Sequence, residues 1–191
     1  MSSKMGRQRG LTLIEMILFI VIVGIALAAV VGVLNYTTRN SAEPLRRKQA
    51  LMIAEGLLEE VRLARFTWCD PSSDDPNPET VTSSANCLVP ENWGSESGTR
   101  PFDNVNDYVP AANQATAAFN VNGVLSDANG APLGVQGYAA TVTITPQAMN
   151  GVGAPGAAAD TDLLRIRVEV AYDGQRLVLD GYRARYAPLV Q

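Results

Sequence analysis

The sequence predicts an α+β protein in which one long N-terminal helix precedes a small antiparallel β-sheet. Three observations carry that prediction. Residues 11–34 are almost wholly apolar, with Thr12 and Glu15 the clear polar exceptions. Residues 51–61 continue with apolar side chains at three- and four-residue spacing. Late in the chain, two segments alternate apolar and polar residues with period two and are joined by Asp173-Gly174.

The apolar run reads LTLIEMILFIVIVGIALAAVVGVL. As a helix rising 1.5 Å per residue, it is long enough to cross a hydrocarbon layer of about 30 Å. Lys4, Arg7 and Arg9 precede it without an acidic neighbour, which places the N-terminus on the cytoplasmic side. An ordinary secretory signal has a shorter apolar region followed by a small-residue cleavage site. A plain signal anchor fits the length and the flanks, but it leaves Glu15 unexplained. A carboxylate inside an apolar span costs roughly 3 kcal/mol and is generally kept for a partner.

Beyond the apolar run, Leu51, Ala54, Leu58 and Val61 form a stripe that Leu57 widens. Arg46, Arg47, Lys48, Glu55, Glu59, Glu60, Arg62 and Arg65 are expected on the remaining, solvated surface. The helix is expected to run to about Phe66. Pro44 removes a backbone donor and is expected to kink or break it, with Ser41 a candidate cap for the restart.

After Phe66 the composition changes to Pro, Ser, Asp and Asn, which marks a loop. Cys69 and Cys87 are the only cysteines. Outside the cytoplasm they are expected to form an intrachain disulfide. A zinc site built on the two thiols lacks two further ligands. Trp68 and Trp93 flank the bridge and are expected to pack over it. Phe102, Val105 and Tyr108, three residues apart, suggest one helical turn pinning the loop to the core. Between them, Asp103, Asn104, Asn106 and Asp107 are a candidate set of calcium oxygens. No full calcium-loop pattern is present, local Asx-turn bonds account for these residues, and no metal is expected.

Residues 137–145 and 163–172 read as strands, and 176–186 as the return strand of a hairpin after Asp173-Gly174. A three- or four-stranded sheet with one apolar face would cover the helix stripe.

The composition also excludes functions. Net charge is −4, and without the first ten residues 12 basic residues face 19 acidic ones. An acidic domain is a poor nucleic-acid partner. Histidine is absent, which removes the commonest general base and metal ligand. There is no G-x-S-x-G and no phosphate loop. Asp74-Asp75 and the Asp160, Asp162 pair lie in loop composition and read as solvated. No enzymatic activity and no cofactor are expected.

Arg9-Gly10-Leu11-Thr12-Leu13-Ile14-Glu15, behind a basic leader and ahead of an apolar run, resembles the processing motif of type IV prepilins and type II secretion pseudopilins. The resemblance implies cleavage between Gly10 and Leu11 by a prepilin peptidase on the cytoplasmic side. It implies N-methylation of Leu11, where the family usually has Phe, and pairing of Glu15 with the N-terminal amine of a neighbouring subunit. It also implies a pilin-like α+β fold. Its parts would be a cleaved leader at 1–10, a transmembrane and filament-core helix at 11–34, and an amphipathic continuation at 35–67. A variable loop region at 68–136, closed by the disulfide, and a sheet at 137–191 complete a head spanning 45–191. The implied partners are prepilin peptidase, other pilin or pseudopilin subunits, an inner-membrane assembly platform and the lipid bilayer. The implied location is the bacterial inner membrane, single-pass with a periplasmic C-terminal domain, then the filament.

Within that family, Phe102-Asp103-Asn104-Val105-Asn106-Asp107-Tyr108 and the late Asp-Gly hairpin are most similar to the D-type minor prepilins of mannose-sensitive haemagglutinin pili. The expected function is that of a minor pilin-like subunit in pilus assembly or its initiation. A minor pseudopilin of a type II secretion system is the alternative, and a signal-anchored periplasmic binding protein the third reading.

Overall fold

A computed structural model describes residues 12–75, 81–96, 98–149, 152 and 161–185. The chain divides into two units, Met1–Leu45 and Arg46–Gln191. One helix, α1, spans Leu13–Leu63 and carries Pro44 within it. The expected break at Pro44 is therefore not seen. The proline forfeits one hydrogen bond in a helix of 51 residues, and its neighbours Ala42, Glu43, Leu45, Arg46 and Arg47 are all good helix formers. Ser41, the candidate cap, lies inside α1 rather than at the start of a second helix.

The helix ends earlier than the expected Phe66 because Arg65 pairs instead with Asn104. The Arg65 N–H donates to the Asp103 carbonyl at 3.0 Å, and the Val105 N–H donates to the Arg65 carbonyl at 2.9 Å. Arg183 donates to the Ala64 carbonyl at 3.3 Å, satisfying one of the acceptors a helix C-terminus leaves open.

In the second unit α1 buries Ala50, Ala54, Leu57 and Val61. The stripe is thus centred one residue earlier at two positions than the spacing alone suggests, with Ile53 and Leu58 at its margins. Against it lie the strands β3 (Tyr138–Pro146), β4 (Leu163–Tyr172) and β5 (Gln175–Ala184), antiparallel in the order β3-β4-β5. Register aligns Ala140, Val170 and Leu177, then Val142, Val168 and Leu179, then Ile144, Ile166 and Gly181. The β3 and β4 members of these rows are buried, as the period-two pattern requires. On the other face Arg167 pairs with Asp180 at 2.7 Å and Arg176 with Glu169 at 3.1 Å.

The hairpin between β4 and β5 turns on Asp173 and Gly174, with φ of 46° and 74°. Two left-handed residues define the turn whose twist matches paired strands, and Asp-Gly is a favoured sequence for it. The 113–116 segment lies along β3, with Thr116 and Val142 exchanging hydrogen bonds at 2.8 and 2.9 Å. That edge is thereby covered.

The region read as loop, 68–136, contains more order than its composition suggests. A second hairpin pairs β1 (Asn120–Val121) with β2 (Val124–Leu125) through Asn122-Gly123. It sets Phe119 and Leu125 into the core. The residues 150–159, which read as a flexible loop, lie outside the described residues except at Val152.

Gly181 is where β5 approaches α1. A Cβ at this position would lie 3.0 Å from Leu58 Cδ1 and 3.2 Å from Arg62 Cδ. Gly181→Val should therefore force helix and sheet apart and cost about 1–3 kcal/mol. The check is the urea unfolding midpoint of the detergent-solubilised chain, which should fall. An unchanged midpoint would show that the contact is loose.

Candidate functional site

The site that the sequence singles out begins at the first turn of α1. Glu15 and Met16 donate their backbone N–H groups to the Thr12 carbonyl at 3.1 and 3.2 Å, which opens the helix. Glu15 sits in that first turn, where unsatisfied amides and the positive end of the helix dipole favour a carboxylate. Its side chain is exposed. It is also the only charged residue between Thr12 and Thr38. Gly10 and Leu11 lie outside the described residues, so the cleavage and methylation positions rest on sequence.

The span Leu13–Thr37 contains an 18-residue stretch with a mean hydropathy of 3.2, none of it buried. Leu13, Ile14, Phe19, Ile25 and Leu34 are each more than half exposed, and they point in different directions around the helix. An amphipathic surface helix would show one polar face; this segment shows none. Burying each Leu, Ile, Val or Phe is worth about 1.5–3 kcal/mol, so the segment demands lipid or other apolar chains around it. Thr37, at its end, turns its hydroxyl back onto the Val33 and Leu34 carbonyls at 3.1 and 3.0 Å. That bond removes a polar group from the apolar surroundings.

Cys69 and Cys87 are joined as a disulfide with their Cα atoms 5.3 Å apart. Asp75 lies against both sulfurs, but the bond consumes the thiols, and the Asp75 carboxylate accepts the Leu88 N–H at 3.0 Å. No zinc reading survives there. The Arg185 guanidinium stacks between the rings of Phe66 and Trp68, 3.9 and 4.0 Å from their centroids. Arg185 also donates to the carbonyls of Thr67 and Thr161. Trp93 packs at the margin of the main core.

The turn expected from Phe102, Val105 and Tyr108 forms as a 3₁₀ helix over Val105–Tyr108. Phe102 and Tyr108 meet edge to face at 4.9 Å. Of the four oxygen-bearing residues between them, Asn104, Asn106 and Asp107 are buried, while Asp103 is half-buried. Local bonds account for only part of their polar groups. Asp107 Oδ2 accepts the Asn104 N–H at 3.0 Å, and Asn104 Nδ2 donates to Thr67 Oγ1 at 3.1 Å. Asp107 Oδ1, Asn104 Oδ1 and both side-chain polar atoms of Asn106 have no hydrogen-bond partner. Sequence reasoning also missed Glu91, which is buried beside them with both carboxylate oxygens unpartnered. Its surroundings of Pro, Asn and Gly gave no signal of burial.

The two halves of the chain thus define a class: a lipid-seeking helical stem and a disulfide-closed α+β head. Residues 5–31 match the family model of the prokaryotic N-terminal methylation motif. This supports a type IV pilin-like leader at the N-terminus, on the segment that contains Gly10, Leu11 and Glu15. No curated protein and no solved structure matches the chain.

Proposed function

We propose that the chain is a minor type IV pilin-like structural subunit that acts in pilus assembly or its initiation. The observation that carries this reading is a single carboxylate at the start of a wholly exposed apolar helix, within a matched methylation motif. Prepilin peptidase cuts between Gly10 and Leu11, and the freed Leu11 amine is methylated. Before cleavage no backbone amine exists at the depth of Glu15. After it, the new cationic terminus of one subunit meets Glu15 of the next in a medium where charge pairing is far stronger than in water. The helix to Thr37 lies first in the inner membrane and then in the filament, beside other pilin subunits. The head stays on the periplasmic side, where an oxidising milieu suits the Cys69–Cys87 bond.

The finer resemblance of residues 102–108 and of the Asp173-Gly174 hairpin favours a minor pilin of the mannose-sensitive haemagglutinin type over a secretion pseudopilin. Neither assignment includes catalysis.

Intact-mass spectrometry of the membrane-extracted protein tests the reading. The expected mass is that of a chain starting at Leu11, with one added methyl group and the two thiol hydrogens missing. A protein that keeps Met1 to Gly10 in its native host would overturn it.

A further inference from the structure

Buried carboxylates in the head are expected to face a cation or a donor at each oxygen, and in one group of them most of the buried oxygens face neither. Glu91, Glu96 and Asp107 each bring a carboxylate oxygen to within 4.8 Å of the others. Glu91 and Asp107 retain only 6% and 5% of their surface, whereas Glu96 is exposed at the mouth. Three chain segments fix this geometry. The Glu91 N–H donates to the Trp68 carbonyl at 2.9 Å, and the Gly94 N–H donates to the Asn106 carbonyl at 3.3 Å. Asp107 is held by the Asn104 N–H through one oxygen, leaving the other free.

The unpartnered atoms are nearly all acceptors. Both Glu91 carboxylate oxygens, Asp107 Oδ1, Asn104 Oδ1 and Asn106 Oδ1 lack a donor. Each unpaired buried acceptor costs about 1–3 kcal/mol, and more when charged. The neighbours add to the cost, because Glu96 brings a third carboxylate to the same point. A single proton bridges only one pair of these acceptors and leaves the remaining oxygens without a donor. A bound cation satisfies charge and lone pairs together.

We propose that Glu91, Glu96 and Asp107 form a calcium site that ties the 91–96 segment to the 104–107 turn. The donor set is oxygen only, which suits a hard cation and not zinc. Calcium–oxygen distances of about 2.3–2.6 Å let ligand atoms on opposite sides of the ion lie roughly 5 Å apart. Magnesium, at about 2.0–2.1 Å and in strict octahedral geometry, draws its ligands closer and keeps its waters. The exposed Glu96 provides the entry side. Since Glu91 follows the disulfide loop and the turn at Asn104 abuts the end of α1, the ion would join loop, helix end and core at one point.

The full-length protein, detergent-solubilised and stripped with EGTA, is titrated with calcium chloride. Calorimetry should find one ion per chain, and calcium at a hundred times its Kd should raise Tm by roughly 5–10 °C. Magnesium chloride at the same concentration should move Tm by less than a third of that. Glu91→Gln and Asp107→Asn should each abolish the calcium-dependent shift. Because those positions are buried, Glu96→Gln is the control for folding: it should keep the stripped protein's Tm and weaken calcium binding about tenfold, as expected when one of three ligand charges is lost. No calcium-dependent shift in the stripped wild type would overturn the proposal. So would an equal response to magnesium, or calcium affinity undiminished by Glu96→Gln.

Discussion

Arg100→Ala is expected to lower the unfolding free energy of the head by about 3–5 kcal/mol, the usual effect of removing one partner from a buried ion pair. Arg100 reaches across to α1 and grips Glu60 through both nitrogens, Nε to Oε1 at 2.8 Å and Nη2 to Oε2 at 2.6 Å. Their side chains are only 3% and 7% exposed, so this is not one of the surface pairs whose contribution is near zero. The Tyr108 hydroxyl donates to Glu60 Oε1 at 3.0 Å, and Arg100 also donates to the Ser126 carbonyl. The guanidinium lies 5.1 Å from the centre of the Phe119 ring. Truncating Arg100 leaves the Glu60 charge buried with one hydroxyl for company, and leaves the Ser126 carbonyl without its charged donor. Urea denaturation followed by tryptophan fluorescence gives the number. Replacing both partners, as Glu60→Leu with Arg100→Met, should recover most of the loss, because an apolar pair of similar volume needs no desolvation. A single-variant loss below about 1 kcal/mol would mean that water reaches the pair.

Glu15→Ala should leave leader cleavage intact and reduce incorporation into filaments about tenfold or more. On the proposed reading, peptidase recognition depends on Gly10 and the basic leader, both on the cytoplasmic side of the span, whereas incorporation depends on what the carboxylate meets inside the apolar layer. An ion pair there must at least offset the roughly 3 kcal/mol that the carboxylate costs, and 1.4 kcal/mol already corresponds to tenfold. Immunoblots of sheared filaments against membrane fractions, normalised for processed protein, measure it. Glu15→Asp, which keeps the charge on a shorter arm, should fall between the two. Equal incorporation of Glu15→Ala would dismiss the pairing role.

The stem and the sheet were legible in sequence because their signals are periodic and local. Residues 11–34 are apolar without interruption, and the alternation of Leu163 to Tyr172 sets the faces of β4 residue by residue. Asp173-Gly174 named its own turn. What sequence reading missed depends on distant partners. Glu60 sits among charged helix residues and reads as solvated; only Arg100, far along a loop, makes its burial tolerable. Pro44 reads as a breaker because local propensity ignores the many turns on either side. Asn122-Gly123 is a hairpin signal in its own right, obscured by the polar composition around it. At the candidate site Glu15 stands out by its isolation in an apolar run, and the cysteine pairing was readable from arithmetic. Glu91 was not, since nothing in Val-Pro-Glu-Asn-Trp announces that its carboxylate turns inward.

Arg46 clasps the Asp173 carboxylate with two nitrogens at 2.7 and 2.9 Å, reaches the Gln136 carbonyl, and lies over the Tyr138 ring. It is the first residue of the second unit, so tension transmitted along the helix backbone loads this clasp before any buried contact. The clasp is partly open to solvent, and its strength therefore tracks ionic strength. In dilute medium the head would yield late under traction, and in brine earlier, with the apolar packing behind it unchanged.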